Sequence, residues 1–404
     1  MKKKKDVLLL LQFFYPEYIS SATLPFDTAK KLAEEGFSVD ALCGYPYEYT
    51  DKMNLSIKET VENINIQRVK YLQLDKKTPL GRMVNYLSLT LSMLFRLLKM
   101  KKYKMIIAYS NPPILPLVAA LASKFFKCKL IFVAYDLYPE VALKTQVLSN
   151  NSFVTKLMNF INKLVYKQAV AVVALSSEMK TFIVENRNIS ADKVYIIPNW
   201  YEDLYQQHEK NDNPFISIVN ERFAIGYFGN MGIAQDMEPI KAAMRYFKND
   251  SEVCFLLSGH GLKYKDIEKM IYEEKIQNAY LYGFLKGQDY LNVLYASNCA
   301  IVSLKKGLTG LCVPSKTYGY MMQGLPIIAI MDESDIVKDV QKGAGYYVSN
   351  NCTKELIAVI AEMKNNRQEC LLKGKMSRQL YLENYTSEVC LEKYVQLVRK
   401  VLFE

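Results

Sequence analysis

Short apolar runs alternate with amphipathic stretches along most of the chain. The runs have the length of buried strands, and the stretches between them place apolar residues at helical spacing. This alternation is typical of a parallel sheet with helices on both faces. The strands predicted in the first half are VLLLLQFF, SVDALCG, KMIIAYS, KLIFVAYD, AVAVVALS and VYIIPN.

The alternation is interrupted by PNWYEDLYQQHEKNDNPFISIVNE, which is polar and rich in turn-forming residues. It resumes with the predicted strands FAIGYFGNMG, EVCFLLSGHG, NAYLYGFL, NCAIVSL and LPIIAI. We therefore predict an α/β protein with two doubly wound, Rossmann-like domains. The predicted boundaries are 1–200, a linker at 201–221, a second domain at 222–385, and a C-terminal helix at 386–404 that can pack back on the first domain.

Two segments look like export or membrane signals. The N-terminus has a basic start and a short apolar run, but Pro16 and Glu17 follow without a small-residue cleavage site, so Val7 to Phe13 is interpreted as the first strand. The apolar stretch from Met105 to Ala122 contains Asn111 and three prolines, which favour strand, turn and helix. No transmembrane helix is predicted.

Positive charge is concentrated in the first half. Residues 1–200 hold 28 Lys and Arg against 16 Asp and Glu, whereas the remaining 204 residues hold 24 against 25. Such a basic half indicates a surface that meets an anionic partner. Because the aromatic residues do not interleave with basic ones in an RNA-binding pattern, nucleic acid is not the expected partner.

Cysteine and histidine usage gives little sign of a metal. The eight cysteines form no CxxC pair, only two histidines are present, and no Asp-x-Asp occurs. We therefore predict no metal site and a reduced, cytoplasmic setting.

The segment from Leu80 to Lys104 has two apolar sides. One stripe, which fits a core-facing side equally well, contains Leu80, Met83, Val84, Leu87, Leu91, Leu94, Phe95 and Leu98. The second side contains Leu89, Met93, Leu97 and Met100, and Arg96, Lys99, Lys101, Lys102 and Lys104 crowd the end. A helix of this kind can pack on its domain and still face anionic lipid, which predicts a peripheral protein on the cytoplasmic face of the plasma membrane.

Glycines follow two predicted strands of the second half. Gly229 and Gly232 follow AIGYF, and Gly259 and Gly261 follow VCFLLS. Glycine at a strand end lets the backbone approach a ligand, and amides of the next helix can bind phosphate. Either pair alone fits a purely structural turn as well.

The stretch VPSKTYGYMMQGLPIIAI predicts a capped helix followed by a strand. Ser315 is the expected N-cap, the helix begins near Lys316, Gly324 is the C′ residue, and Ile327 to Ile330 is the strand. A lysine at a helix start is locally unfavourable, and no acidic residue occurs from 307 to 330. We therefore expect Lys316 to bind an anion.

Polar residues also follow strands in the first half. Asp136 follows a buried strand, with Glu140 four residues later, so either carboxylate can orient a sugar hydroxyl or act as a base. A helix cap or a salt bridge is the alternative for both. Ser20 and Ser21 precede a helix and either contact a substrate or act as caps, and Trp200 is expected to pack at the linker.

Taken in order, these segments resemble the retaining glycosyltransferases of family 4, which have the GT-B fold of two domains facing across a cleft. They are most similar to the enzymes of O-antigen, capsule and exopolysaccharide synthesis, of the N-acetyl-fucosaminyltransferase-like kind. The segments that carry the resemblance are QFFYPEYISSATLPFDTAKKLAEEGFSVDALCGYP, YSNPPILPL, YDLYPE, IIPNW, GNMGIAQDME and VPSKTYGYMMQGLPIIA.

The resemblance implies a nucleotide-sugar site in the second domain and an acceptor site in the first. The implied donor-binding residues are Gly229, Asn230, Gly232, Gln235, Gly259, His260, Phe284, Ser315 and Lys316. The implied acceptor-binding residues are Ser20, Ser21 and Glu140, and Asp136 is the implied catalytic residue.

The chain departs from the family at several positions. Leu311 and Gly319 stand where the family usually has two glutamates, and Asn230 and Gln235 stand where it has an arginine and a lysine. Lys316 is then the only evident cation for a diphosphate. The expected function is transfer of a sugar from a nucleotide-diphosphate donor, a UDP-sugar, to a lipid-linked saccharide, without cofactor. The alternatives are a nucleotide-sugar 2-epimerase and a basic nucleic-acid-binding protein.

Overall fold

Strands and helices alternate throughout the computed structural model, which describes residues 4–47, 49–51, 54–75, 78–205 and 213–403. The described chain divides into two units, and neither is one continuous stretch. The first unit takes in the chain up to Asn199, the segment Gly310–Val313, and the chain from Glu388 onward. The second takes in Trp200–Thr309 and Pro314–Ser387.

The first unit contains an eight-stranded sheet in the order β3-β4-β2-β1-β5-β6-β7-β8. Only β3 runs antiparallel to its neighbour β4. The strands are β1 (Lys5–Leu10), β2 (Val39–Gly44), β3 (Lys58–Val61), β4 (Ile64–Val69), β5 (Tyr103–Tyr109), β6 (Lys129–Ala134), β7 (Ala169–Ala174) and β8 (Val194–Ile196). Its helices are α1 (Ser20–Glu34), α2 (Pro79–Leu94), a 3₁₀ helix (Leu97–Lys102), α3 (Pro116–Phe126), α4 (Glu140–Lys144), α5 (Phe153–Gln168), α6 (Ser177–Arg187) and a 3₁₀ turn (Ala191–Lys193).

The second unit contains a six-stranded parallel sheet in the order β11-β10-β9-β12-β13-β14. The strands are β9 (Phe223–Asn230), β10 (Val253–His260), β11 (Ala279–Tyr282), β12 (Cys299–Ser303), β13 (Ile327–Ile330) and β14 (Gly345–Val348). The helices are α7 (Pro214–Val219), α8 (Glu238–Tyr246), α9 (Tyr264–Glu273), α10 (Gln288–Tyr295), α11 (Lys316–Met322), α12 (Asp335–Asp339), a π-helical turn (Val340–Ala344), α13 (Thr353–Asn365) and α14 (Arg367–Asn384). Inner strands such as β9 are buried on both faces, as expected for a sheet covered by helices.

The last helix, α15 (Ser387–Phe403), belongs almost wholly to the first unit. Arg399 forms an ion pair with Glu35 at 2.6 Å, and the Lys129 side chain donates a hydrogen bond to the carbonyl of Val401. The buried face of α15, which includes Val395 and Val398, completes the core of this unit.

Several predicted boundaries differ from the structure. The first strand ends at Leu10 and not at Phe13, although Leu11 and Gln12 still form main-chain hydrogen bonds with β2. The predicted linker contains α7, whose Phe215 is buried, and residues 206–212 of that linker lie outside the described residues. Trp200 is buried as expected.

In α2 and the 3₁₀ helix after it, the apolar stripe that fitted a core-facing side is exposed, and the second apolar side is buried. Leu89, Met93 and Met100 are almost completely buried and pack inside the unit. The side that fitted a core-facing stripe is exposed at Leu80, Met83, Leu87, Leu91, Phe95 and Leu98. Within the described residues, no helix has both the length and the apolar character needed to cross a membrane.

A buried tyrosine fixes α11 to the end of β9. The hydroxyl of Tyr320 accepts a hydrogen bond from the amide of Phe228 at 2.7 Å and donates one to its carbonyl at 2.8 Å. Burial raises the pKa of Tyr320 well above its usual value, so the hydroxyl keeps the proton that it donates. Because Lys316 lies one turn earlier on α11, this pair of bonds also sets the position of Lys316.

We predict that Tyr320→Phe lowers the free energy of unfolding by roughly 1–3 kcal/mol, because it leaves two buried backbone groups without their partner. Chemical denaturation measures the change. Tyr272→Phe in the same unit is the control, since Tyr272 is 85% exposed and its hydroxyl is open to water. Equal stability of the two variants would contradict the assigned hydrogen bonds.

Candidate active site

The ends of β9 and β10 form an edge of the second unit where main chain is brought close together. Gly229 pairs with Gly259, and Asn230 pairs with His260. A Cβ on Gly259 would collide with the carbonyl oxygen of Gly229, so no side chain fits there. Gly229 has a φ of +119°, which also favours glycine. The sequence therefore keeps positions 229 and 259 of this edge free of side chains.

Lys316 places its amine beside that edge. The Nζ atom lies 3.8 Å from the ring centroid of Tyr227 and 3.4 Å from the carbonyl oxygen of Asn230. A Cβ at position 229 would lie 3.4 Å from its Cε atom, so the glycine leaves room for the lysine. Burial lowers the pKa of Lys316 to about 7. Among the described residues the amine has no carboxylate partner, which leaves it able to pair with an anionic ligand.

Ser315 does not cap α11 as predicted. Its backbone is already helical, with φ −60° and ψ −20°, and its side chain makes no capping hydrogen bond, because capping requires an extended backbone. The helix does begin at Lys316, and Gly324 follows it with a φ of +73°. Since α11 has only seven residues, the lysine side chain and not the helix dipole is the main source of positive charge.

The loop after β10 carries a second cation, which contacts the loop after β9. The Nζ atom of Lys263 donates a hydrogen bond to the carbonyl of Gln235 at 2.8 Å. Burial, followed by the charge of Lys305, lowers the pKa of Lys263. Lys316 is therefore not the only cation near this edge, and sequence spacing gave no sign of Lys263 because it follows a different strand.

The predicted phosphate-binding amide of Gly232 is already engaged. It donates to the Oε1 atom of Gln235 at 2.9 Å. A phosphate can use this amide only if the Gln235 side chain turns away. The structure thus brings Gly232 and Gln235 together, but as partners of each other.

An aromatic pair lies beyond β10. The rings of His260 and Phe284 meet edge to face, with centroids 5.6 Å apart, and Phe284 is 44% exposed. Burial, followed by the charge of Lys316, lowers the pKa of His260, so its ring is neutral at pH 7. The hydroxyl of Ser258 holds the following loop by bonding the carbonyl of Gly283 and the amide of Leu285. These rings offer a surface for a nucleoside.

Tyr290 explains the missing side chain at position 319. A Cβ on Gly319 would lie 2.8 Å from the hydroxyl of Tyr290, and the ring of Tyr201 lies beside the same position. Tyr290 also packs edge to face on Phe228. The tyrosine hydroxyl, which the sequence did not single out, therefore occupies the space of an acidic side chain here.

In the first unit, Asp136 follows β6 and its main chain is held on two sides. Its amide donates to the hydroxyl of Ser110 at 3.3 Å, and it forms an isolated β-bridge with Cys312. Burial raises the pKa of the Asp136 carboxyl to about 6. The carboxylate has no hydrogen-bond or ion-pair partner among the described residues. A side chain in this state is suited to bind a hydroxyl or accept a proton.

The other predicted acceptor residues have local partners. The carboxylate of Glu140 pairs with Arg187, so the structure shows the salt bridge that was its alternative. Ser20 and Ser21 begin α1 after the N-cap Ile19, and α1 has no side-chain cap, so neither serine is a capping residue. Among the described residues, no group of three His, Cys, Asp or Glu side chains is placed to hold a metal ion.

The first half of the chain matches a known domain. Residues 26–200 match the family described as a glycosyl transferase 4-like domain. The chain is also 27% identical over 304 residues to the probable glycosyltransferase WbjE of Pseudomonas aeruginosa, a match that covers 74% of this chain and 75% of that protein.

Solved structures share the fold over nearly the whole chain. HepE from Anabaena, solved in complex with UDP and glucose, superposes with a TM-score of 0.74 at 15% identity and covers 98% of this chain and 100% of its own. Sucrose-phosphate synthase from Thermosynechococcus elongatus gives a TM-score of 0.76 at 17% identity, covering 98% and 99%. The predicted GT-B fold is confirmed, and the match of residues 26–200 to the glycosyl transferase 4-like domain, together with the relative WbjE, supports the resemblance to the family 4 glycosyltransferases.

Proposed function

We propose that the protein is a retaining glycosyltransferase that moves a sugar from a UDP-sugar to a lipid-linked saccharide in surface polysaccharide synthesis. The observation that carries the donor assignment is the amine of Lys316, which lies against Tyr227 and Asn230 and, in the part of the chain that the structure describes, pairs with no carboxylate. The structural neighbour HepE, with UDP and glucose bound, supports a donor of this class.

On the donor side, the second unit supplies charge and close backbone approach. When the bond to the leaving diphosphate breaks, negative charge grows on its oxygens, and the Lys316 ammonium stabilises that charge. Lys263 adds a second positive charge at the loop after β9. The bare edge at Gly229 and Gly259 lets the diphosphate approach the main chain, and the His260 and Phe284 rings contact the nucleoside.

On the acceptor side, we assign the leading role to Asp136 and not to Glu140. Both are carboxylates after β6, but Glu140 is already neutralised by Arg187. Asp136 retains an unpaired carboxylate whose pKa burial raises to about 6, so at neutral pH it can still ionise and orient a sugar hydroxyl.

The exposed face of α2 and the following 3₁₀ helix is proposed to dock on an anionic membrane at the cytoplasmic face. Phe95 and Leu98 are 88% and 72% exposed, and three exposed lysines of the same segment, Lys99, Lys101 and Lys102, lie beside them. Each basic residue near an anionic leaflet contributes about 1 kcal/mol. Lys102 and Lys104 contribute less, because Lys102 pairs with Asp40 at 3.6 Å and Lys104 pairs with Asp6 at 2.7 Å. The combination favours reversible docking, at the place where a lipid-linked acceptor resides.

We predict that Lys316→Ala weakens UDP-sugar binding about ten- to a hundredfold, as expected for a lost hydrogen bond to a charged group. In the wild type, the dissociation constant should rise about tenfold between pH 6 and pH 8, because the free amine loses its proton near pH 7 and the bound diphosphate retains it. Calorimetry with UDP-glucose as probe measures both effects.

Two controls accompany the Lys316 measurement. Lys316→Arg stays charged throughout this range, so its affinity should not change with pH. Because burial lowers the pKa of Lys316 to about 7, the cost of burying its charge is full below pH 7 and disappears as pH rises to the unfolded pKa, so at pH 6 Lys316→Ala should unfold at no lower temperature than the wild type. Unchanged donor affinity in Lys316→Ala would exclude the diphosphate role.

We predict that Asp136→Asn lowers turnover by a factor on the order of 10²–10⁴ while the protein stays folded. In the wild type, turnover should fall as pH drops through about 6, and the variant should lack that dependence. Because the pKa of Asp136 is raised, its ionised form costs stability at pH 7, so the variant should be at least as stable.

The assay is release of UDP from a panel of UDP-sugars with membrane lipid extract. Release that requires the lipid supports transfer, whereas a changed configuration at C2 of the sugar without an acceptor indicates the 2-epimerase. Full activity of Asp136→Asn would show that the carboxylate is structural.

We predict that Phe95→Ser combined with Leu98→Ser weakens binding to anionic vesicles roughly tenfold or more, because a buried apolar side chain contributes about 1.5–3 kcal/mol. Leu371→Ser with Leu372→Ser is the control, since both are exposed leucines of the second unit. Vesicle sedimentation at low and high salt measures it, and binding should weaken as salt screens the charge. Equal binding to neutral vesicles would disprove the docking surface.

A further inference from the structure

A cavity of about 400 Å³ lies at the opposite end of the first unit's sheet from Asp136, where strands begin. Its lining includes Lys5, the first residue of β1, Asp40, near the start of β2, and Tyr103, the first residue of β5. Asp136 follows the end of β6, which runs parallel to β5, so this cavity is separate from the candidate active site. Its volume suits a small ligand or a lipid headgroup.

Cations outnumber acids in the lining, and both acids already have partners. The five cations are Lys5, Lys58, Arg96, Lys99 and Lys102, and the two acids are Asp40 and Glu59. Asp40 accepts hydrogen bonds from Lys5 at 2.6 Å, from the Tyr103 hydroxyl at 2.6 Å and from Asn65 at 3.0 Å. Glu59 pairs with the buried guanidinium of Arg68.

Three of the cations are left without an acid. Within the described part of the chain, Lys58, Arg96 and Lys99 form no ion pair. Arg96 donates only to the carbonyl of Ser92, one turn earlier. A cavity with surplus cations from two sides, β3 and the segment from Arg96 to Lys99, has the positive charge and the hydrogen-bond donors that a phosphate group requires.

The residues beside the cavity indicate whether the phosphate belongs to a lipid or to a soluble molecule. Along the chain, the exposed apolar residues Phe95 and Leu98 alternate with Arg96 and Lys99, which line the cavity. A phosphate free in solution gains nothing from exposed apolar side chains beside its site. A lipid brings both parts together, since its headgroup is anionic and its acyl chains are apolar.

We propose that this cavity binds the phosphate headgroup of an anionic membrane lipid, with Arg96, Lys99 and Lys58 as its ligands. The proposal rests on the membrane docking proposed above and adds a defined site to it. Phe95 and Leu98 enter the leaflet beside the bound lipid. Lys101, which is exposed in the same 3₁₀ helix but does not line the cavity, attracts the surface only through its general charge.

The test compares Lys99→Gln with Lys101→Gln, which remove the same charge two residues apart. On vesicles of phosphatidylcholine with phosphatidylglycerol, Lys99→Gln should lower the partition coefficient about tenfold or more, as for a direct bond to a charged group. Lys101→Gln should lower it about fivefold or less, as for a surface charge near an anionic leaflet. Equal losses would overturn the cavity site while leaving membrane docking in place.

A second measurement removes the bilayer. Calorimetry with monomeric dihexanoylphosphatidylglycerol should show binding to the wild type and to Lys101→Gln, and none to Lys99→Gln. Inorganic phosphate is the competitor, and equal affinity for it would overturn the lipid assignment in favour of a soluble anion. If the wild type binds no vesicle of either kind, the membrane docking itself fails.

Discussion

The proposed donor side of this protein depends on the amine of Lys316, which has no carboxylate partner among the described residues. Removing an ammonium group from water is unfavourable, and in the described part of the chain an aromatic ring and one carbonyl oxygen are what offset that cost. These two contacts do not fully compensate for the lost hydration, and the pKa of Lys316 is lowered as a result. An anionic ligand offsets this desolvation cost, so the unliganded fold already favours binding of such a ligand. The absence of a side chain at Gly229 and the bonds of Tyr320 to β9 keep the amine at this position.

Two carboxylates in the first unit show how surroundings, and not residue type, separate a candidate catalytic group from a structural one. Glu140 and Asp136 are four residues apart, and the sequence offers the same two alternatives for both. Arg187 reaches Glu140 from α6 and makes it part of the scaffold. No cation does this for Asp136 among the described residues, and its pKa rises as a result of burial.

Local patterns predicted the elements well and the contacts between distant elements poorly. The start of α11 at Lys316, the glycine after it and the strand β13 all follow from short-range rules. The hairpin of β3 and β4 was missed, because its strands are short and largely polar on one side. Tyr320 and Lys263 were missed because their partners lie 92 and 28 residues away. The two sides of α2 could not be told apart, because both are apolar and periodicity gives no direction.

The way the chain is divided between its units has a consequence for the order of synthesis. The β-strands of the first unit are complete by residue 199, but this unit also needs Gly310–Val313, which pairs beside Asp136, and α15, which is the last helix of the chain. A ribosome therefore finishes nearly the whole second unit before the first can close its core. The apolar surface that α15 covers stays open during that interval, and the candidate catalytic carboxylate reaches its final surroundings only once the downstream segments have emerged.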